Sequence, residues 1–442
     1  MVNPTSSINF STRGNDTKSI SFFDYLFVFV LVIYAGRANI FAESGSFKEN
    51  AIGVLIPIAL SGIMALRWKV LFDLKFYLLI FGFTIYFLGI SAKYTEFHPT
   101  FFLNYFFKFF VVCIAIKALR INLFKIYELV LYYLSLIALF FWSIQTILGG
   151  DTLYSYFSRI PGISLFSYVS GNGLNAIIYS VQPTTSSIIY NFMLPRNSGF
   201  AWEPGAFAVY LCLAIFINLF ITDSDKSTKS RFWVLLIALL STQSTTGYLI
   251  FMLILVYYIF NKNLNKILLF LPFAIVALIY ISTLPFMSNK VLDMINETNE
   301  MDQLIVNTIG REESATPQRF TSFMIAFVDF KNNPVLGLGP DGDKAWTARI
   351  GANISPISGI GNLLAQFGIV GFLFFIMSSL RSSFFLSKYF NYNGKYLLFL
   401  ILLLISVSYG IILIPLFMCF WLFELFETDY HNQKEIKKVV LN

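Results

Sequence analysis
Charged residues, cysteine and histidine are all scarce in this chain, and each scarcity removes a class of protein. Only 12% of the 442 residues are charged, while 57% are hydrophobic and 18% aromatic. A water-soluble surface cannot be built from that composition, so the chain belongs in a membrane. The three cysteines, Cys113, Cys212 and Cys419, all lie inside apolar runs. No disulfide framework follows from them, and the redox compartment stays open. The two histidines, His98 and His431, stand far apart and join no Cys or Asp cluster at ligand spacing, so neither a metal nor another cofactor is expected. A formal net charge of +7 would suit nucleic acid, but the Lys and Arg sit beside the ends of apolar runs and report orientation instead. Internal repeats are missing too. A transporter built from inverted repeats with charges at mid-membrane, such as a flippase for lipid-linked oligosaccharide, is therefore disfavoured.

What the chain has is apolar runs of about 17 to 25 residues, the length that crosses a bilayer as a helix. The expected spans are 22–40, 51–66, 76–92, 99–117, 122–148, 204–222, 264–283 and 358–380, and two longer blocks lie at 232–260 and 396–427. Each block is too long for one crossing. The first carries the polar run Ser241 to Gly247 at its centre and the second carries Ser406, Ser408, Tyr409 and Gly410, so each divides into two helices. Pro415 is expected to kink the last of them. The result is an all-α polytopic membrane protein of about twelve spans. Every inner segment then holds Lys or Arg, as the positive-inside rule requires. Residues 1–20 lack a cleavable signal and read as a cytoplasmic tail, and the C-terminus falls on the same side of the cytoplasmic membrane. Residues 1–442 form one integral membrane domain with two long outer loops, 149–203 and 284–357.

Those loops carry the chemistry. In 317–331, Phe320, Phe323, Met324, Phe327 and Phe330 recur at helical spacing, which predicts an amphipathic helix with Thr316 as N-cap, Pro317 at its first position and Arg319 at its third. A cation in the first turn opposes the helix dipole, so an anion held by Arg319 and the helix N–H groups accounts for it better than stability does. The first loop ends in Arg196-Asn197-Ser198-Gly199-Phe200-Ala201-Trp202-Glu203-Pro204-Gly205, directly before a span. Glu203, fixed at the membrane face by Pro204, is the candidate general base beside Arg196, although an acid at a helix N-terminus also suits the dipole alone. Asp341 and Asp343, in the turn after Gly339, are reserve carboxylates. Lys108 stands in mid-span, where a charge costs at least about 2.5–3.5 kcal/mol. It either faces an anionic substrate or pairs with Glu128 on the next span. Arg159 and Arg349 in the outer loops are further substrate-binding candidates, with Trp202 and Trp346 as rings suited to stacking on sugars or to an interfacial belt.

The run R-x-S-G-x-x-x-E-P-G at 196–205, a Ser/Thr-rich turn after the next helix, R-F at 319–320, N-P-x-x-G-x-G at 333–339 and G-x-x-G at 368–371 follow in that order. Together they resemble the O-antigen polymerase and O-antigen ligase superfamily, membrane glycosyltransferases of the GT-C type. The resemblance covers about residues 195–375 in motifs and the rest in span count and loop placement. It implies an undecaprenyl-diphosphate-linked oligosaccharide as substrate, membrane lipid around it, and a chain-length regulator and a flippase as protein partners. It also implies one arginine from each long loop on the diphosphate, here Arg196 and Arg319. Ligases of the superfamily carry a histidine just after the second loop, whereas this chain has Ile357 and Ser358 there and no histidine between His98 and His431. That departure favours a polymerase, which joins repeat units into a surface polysaccharide, over a ligase, which transfers the polysaccharide to lipid A core.

Overall fold
The computed structural model describes residues 20–38, 51–159, 174–181, 186–189, 192–222, 225–262, 301–310, 315–340 and 342–427. The expected span at 264–283 and Asp341 lie outside the described residues. The first five helices are α1 (Phe22–Ala35), α2 (Ala51–Trp68), α3 (Leu74–Tyr94), α4 (Pro99–Leu119) and α5 (Asn122–Leu148). A short α6 (Gly150–Ser158) opens the first long loop, which also holds two antiparallel hairpins, β1 (Leu174–Asn175) with β2 (Ser180–Val181) and β3 (Ser186–Ile189) with β4 (Phe192–Pro195). Then come α7 (Pro204–Phe220), α8 (Lys226–Ser241), α9 (Thr245–Lys262), α10 (Met301–Thr308), α11 (Arg319–Asn332) and α12 (Trp346–Arg349). The described residues end with α13 (Gly359–Phe390), α14 (Leu397–Ser408), α15 (Pro415–Trp421) and α16 (Phe423–Phe426). The hairpins are the departure from an all-α fold.

Among the described residues, α3, α4, α5 and α13 are long and apolar enough to cross a membrane, and α1, α2, α7, α9 and α14 contain shorter apolar helices. The protein is a mostly helical, polytopic membrane protein. Its centre is α7, which is apolar on every side and buried along nearly its whole length against α5, α8 and α9. Tyr127 of α5 donates to the Tyr210 carbonyl at 3.0 Å, and Tyr210 in turn donates to the Ala35 carbonyl, so three helices share one polar thread. By contrast α3 exposes Leu74, Tyr77, Leu78, Phe81, Ile85 and Leu88, a stripe fit for lipid.

Three breaks interrupt the apolar helices, two of them where polar residues predict a turn. Between α8 and α9, Gln243 takes φ 50. After α14, Tyr409 is extended at φ −140 and ψ 137, and helix resumes at Pro415. Pro415 therefore starts α15 and kinks nothing, because the chain has already left helical geometry where the missing N–H would matter. The third break is at Gly368, φ 62 and ψ −161, inside α13. The N-P-x-x-G-x-G loop crosses there. Leu338 and Gly339 donate to the Ala365 and Gln366 carbonyls at 2.8 and 2.9 Å, and Ile369 donates to the Pro334 carbonyl at 2.8 Å.

The helix expected at 317–331 is shifted and turned from expectation. Gln318 is the N-cap, so Arg319 occupies the first helical position rather than the third, and Thr316 caps nothing. Ser322 fixes this start by donating its N–H to the Gln318 carbonyl and its hydroxyl to the Pro317 carbonyl. The buried face is Thr321, Ser322, Ile325, Ala326 and Asp329, whereas Phe320 and Met324 are 46% and 37% exposed. Small residues win that face because α11 lies close against α13, where Gly361 approaches Ala326 and the backbone of Phe323. Asp329 is compensated by the Trp346 N–H at 2.8 Å, and burial pushes its carboxyl above the usual range, against that donor and Arg349.

Candidate functional site
Helix ends build the site. Trp142 of α5 donates to the Pro195 carbonyl at 2.7 Å, and Asn197 bonds the Ser241 carbonyl and hydroxyl at 3.0 and 2.9 Å. Between these two anchors, Arg196 donates from Nε to the Thr242 carbonyl at 3.2 Å and from Nη2 to the Gln243 carbonyl at 3.4 Å. These are orphan carbonyls at the C-terminal end of α8, the negative end of its dipole, so a cation there is well placed. Arg319 repeats the arrangement on another helix. Its Nε donates to the Ser408 carbonyl, the C-terminal end of α14, at 2.8 Å.

Glu203 is the N-cap of α7 and faces both arginines from the opposite dipole end. Arg319 Nη2 lies 3.4 Å from its Oε1, a long single contact rather than a bidentate pair, with both side chains about a third exposed. Burial pulls the Arg196 pKa below its ordinary value; Glu203, Tyr409 and Tyr248 oppose that pull, and Arg319 adds to it. Two guanidiniums that repel each other and share one long-range carboxylate are poised for another anion.

Tyr409 lies among them, just past α14. The Arg319 guanidinium sits 4.3 Å above its ring, and Trp202 meets the ring edge-on at 6.2 Å. Burial first, and then the charge and acceptor oxygens of Glu203, keep the Tyr409 proton in place. A side chain at Gly205 would strike the Tyr409 hydroxyl, which explains the glycine that ends E-P-G. On the far side of Trp202, Arg37 stands 5.9 Å over the indole.

Of the residues singled out in the sequence, Arg196, Trp202, Glu203 and Arg319 come together. The others among the described residues do not join them. Arg159 ends α6 and Arg349 ends α12, both exposed, and Asp343 lies in an exposed turn; none of the three bonds to Arg319 or Glu203. Lys108 is buried on α4 with its ammonium 5.1 Å over the Tyr105 ring. The pairing with Glu128 is not what forms. Glu128 receives Arg231 at 2.9 Å and Asn218 at 2.7 Å, because the start of α5 lies beside α8 rather than beside mid-α4. Among the described residues no group of His, Cys, Asp and Glu is arranged to hold a metal ion.

Tyr409 and the carbonyls of Thr242, Gln243 and Ser408 escaped the sequence reading. The signal was present only as a break in an apolar block; nothing in the spacing ties Tyr409 to residues 90 and more positions away.

Residues 231–376 match the family model for O-antigen ligase. The match covers about a third of the chain and contains Arg319, the Thr242–Gln243 carbonyls and the Gly368 break. It supports a place in the O-antigen polymerase and ligase superfamily. Arg196, Glu203 and Tyr409 lie outside the matched stretch. No curated protein matches the chain.

An apolar cavity of about 330 Å³ lies beside the Gly368 break, lined by Phe83, Tyr86, Tyr105, Phe367, Gly371 and Trp421 among others. Exposed Leu78 and Val370 also line it, so it opens on the lipid-facing side. Its ceiling is tied to the break, since Tyr86 donates to the Leu336 and Gln366 carbonyls at 2.8 and 3.1 Å.

Proposed function
We propose that the protein is a membrane glycosyltransferase that polymerises undecaprenyl-diphosphate-linked oligosaccharide repeats on the outer face of the cytoplasmic membrane. One observation carries the reading: arginines from two outer loops, 123 positions apart in the chain, converge on a single carboxylate. The acceptor sugar hydroxyl gives its proton to Glu203, and its oxygen attacks the anomeric carbon from the face opposite the diphosphate. The bond from that carbon to the phosphate oxygen breaks, and its electron pair leaves with the lipid diphosphate. Arg319 and Arg196 take up the charge that grows there, where donors worth about 2.7–4 kcal/mol each are typical. The cavity beside Gly368 suits the first isoprenoid units, because Leu363 and Phe367 on its wall follow Gly359 by four and eight residues, about 6 and 12 Å along the helix.

The topology belongs to the same proposal: about twelve spans including 264–283, one membrane domain, loops 149–203 and 284–357 outside, both termini cytoplasmic, and a chain-length regulator and a flippase as partners. Purified protein given a lipid-linked repeat unit should yield a ladder of polymers. Unchanged substrate from folded protein, with transfer to lipid A core instead, would favour the ligase that the matched family is named for. Because the arginines supply the positive charge a divalent ion gives many such enzymes, activity is expected to survive EDTA. Loss on chelation with rescue by magnesium would instead make ligands of Asp341 and Asp343.

A further inference from the structure
The Tyr409 ring and hydroxyl face different members of the site at once. Arg319 lies on one face of the ring at 4.3 Å while its Nε is held by the carbonyl of the preceding residue, Ser408. Two anchors on adjacent residues leave a guanidinium little freedom to turn. The hydroxyl covers the Glu203-Pro204-Gly205 turn, where only glycine fits beneath it. Arg319 would ordinarily close on Glu203 in a fork with N–O distances of about 2.7–2.9 Å. It stands off at 3.4 Å on one oxygen.

We propose that Tyr409 is a positioning residue that keeps this pair open, its ring holding Arg319 flat toward the diphosphate and its hydroxyl holding Glu203 turned toward the acceptor. The role rests on the polymerase reading. Collapse of Arg319 onto Glu203 would neutralise the leaving-group clamp and the base together, so one residue guards both. The groups facing Glu203 are Arg319 on α11, Arg196 on its own loop and Tyr409 after α14; Tyr248 on α9 faces Arg196. Tyr409 is the neutral donor in that set.

Two variants separate ring from hydroxyl. Tyr409→Phe keeps the platform for Arg319 and is expected to lose about tenfold in kcat with KM little changed, a loss in the range seen when orienting groups are removed. Tyr409→Leu removes the platform as well and should weaken binding of undecaprenyl diphosphate about tenfold, measured by titration of the purified protein, whereas the Phe variant should bind as wild type does. A Phe variant with wild-type kcat and KM would overturn the role of the hydroxyl, and a Leu variant that binds undecaprenyl diphosphate like wild type would overturn that of the ring. If wild type binds undecaprenyl diphosphate in this pattern but turns over no repeat unit, the polymerase reading falls and the ring's hold on Arg319 stands.

Discussion
Arg319→Lys is expected to cut turnover about 10²- to 10³-fold, nearly as far as Arg319→Ala. Arg319 has two tasks on different edges of one plane: Nε satisfies the Ser408 carbonyl, and the other edge faces outward beside Glu203. A lysine ammonium is a single point and cannot hold the carbonyl and meet two phosphate oxygens together. The loss should fall on kcat, because the charge on the leaving diphosphate grows in the transition state. Losing the Glu203 contact should cost only about 0–1 kcal/mol, since the pair is long and partly exposed, and the Ser408 carbonyl then lacks one donor, so the stability loss should be smaller than that at a residue serving two buried carbonyls. Arg196 behaves differently. Its alanine variant leaves the Thr242 and Gln243 carbonyls short of donors in a mostly buried place, at a cost of about 1–3 kcal/mol each, so its melting temperature should fall along with its turnover. Turnover and thermal unfolding of the variants decide the matter. An Arg319→Lys protein at wild-type turnover would remove Arg319 from the chemistry.

The positions of the apolar helices among the described residues were legible because each follows a long hydrophobic run, and the breaks at Gln243 and Tyr409 were legible because a cluster of polar residues interrupts an apolar block too long for one crossing. The helix 319–332 was legible as an element and illegible as a face. Periodicity marks Phe320, Phe323, Met324 and Phe327, and in a water-soluble protein that stripe would be the buried one. Beside a membrane the closest packing is chosen by size, and Thr321, Ser322 and Ala326 go in while the aromatic residues stay half out. Arg319 was singled out because stability does not explain a cation in the first turn, and Arg196 because its motif resembles that of the superfamily; the fold brings both toward Glu203. Tyr409 was hidden because its partners come from α7 and α11, and the contact exists only once the tertiary fold has brought three helix ends to one point.

Gly368→Ala is expected to be the most damaging change to the fold outside the site. At φ 62 and ψ −161 Gly368 occupies a region essentially closed to side chains, where strain alone costs about 1–3 kcal/mol. Space is closed as well. A Cβ there would run into the Val335 carbonyl and the Gly337 nitrogen, both backbone atoms that cannot swing aside. To make room the loop must lift, and with it go the bonds from Leu338, Gly339 and Ile369 that tie it to α13, at about 0.5–1.5 kcal/mol each. Together these come to about 2.5–7.5 kcal/mol, a range that reaches the roughly 4–5 kcal/mol above which single substitutions are exceptional. Gly62→Ala is the control: it lies in α2 with nothing within 4 Å of the added atom, and alanine there should be neutral or stabilise by about 0.5–1 kcal/mol. The consequence for activity follows from the half-helix between the two breaks. Its first residue, Gly359, abuts the carbonyls of Ser406 and Tyr409, and its last turn hangs on the loop at Gly368, so lifting the loop frees the surface that holds Tyr409 beneath Arg319. Thermal unfolding of both variants in detergent, read beside polymer length, checks the argument; equal melting temperatures would mean that the break at Gly368 is not built on glycine.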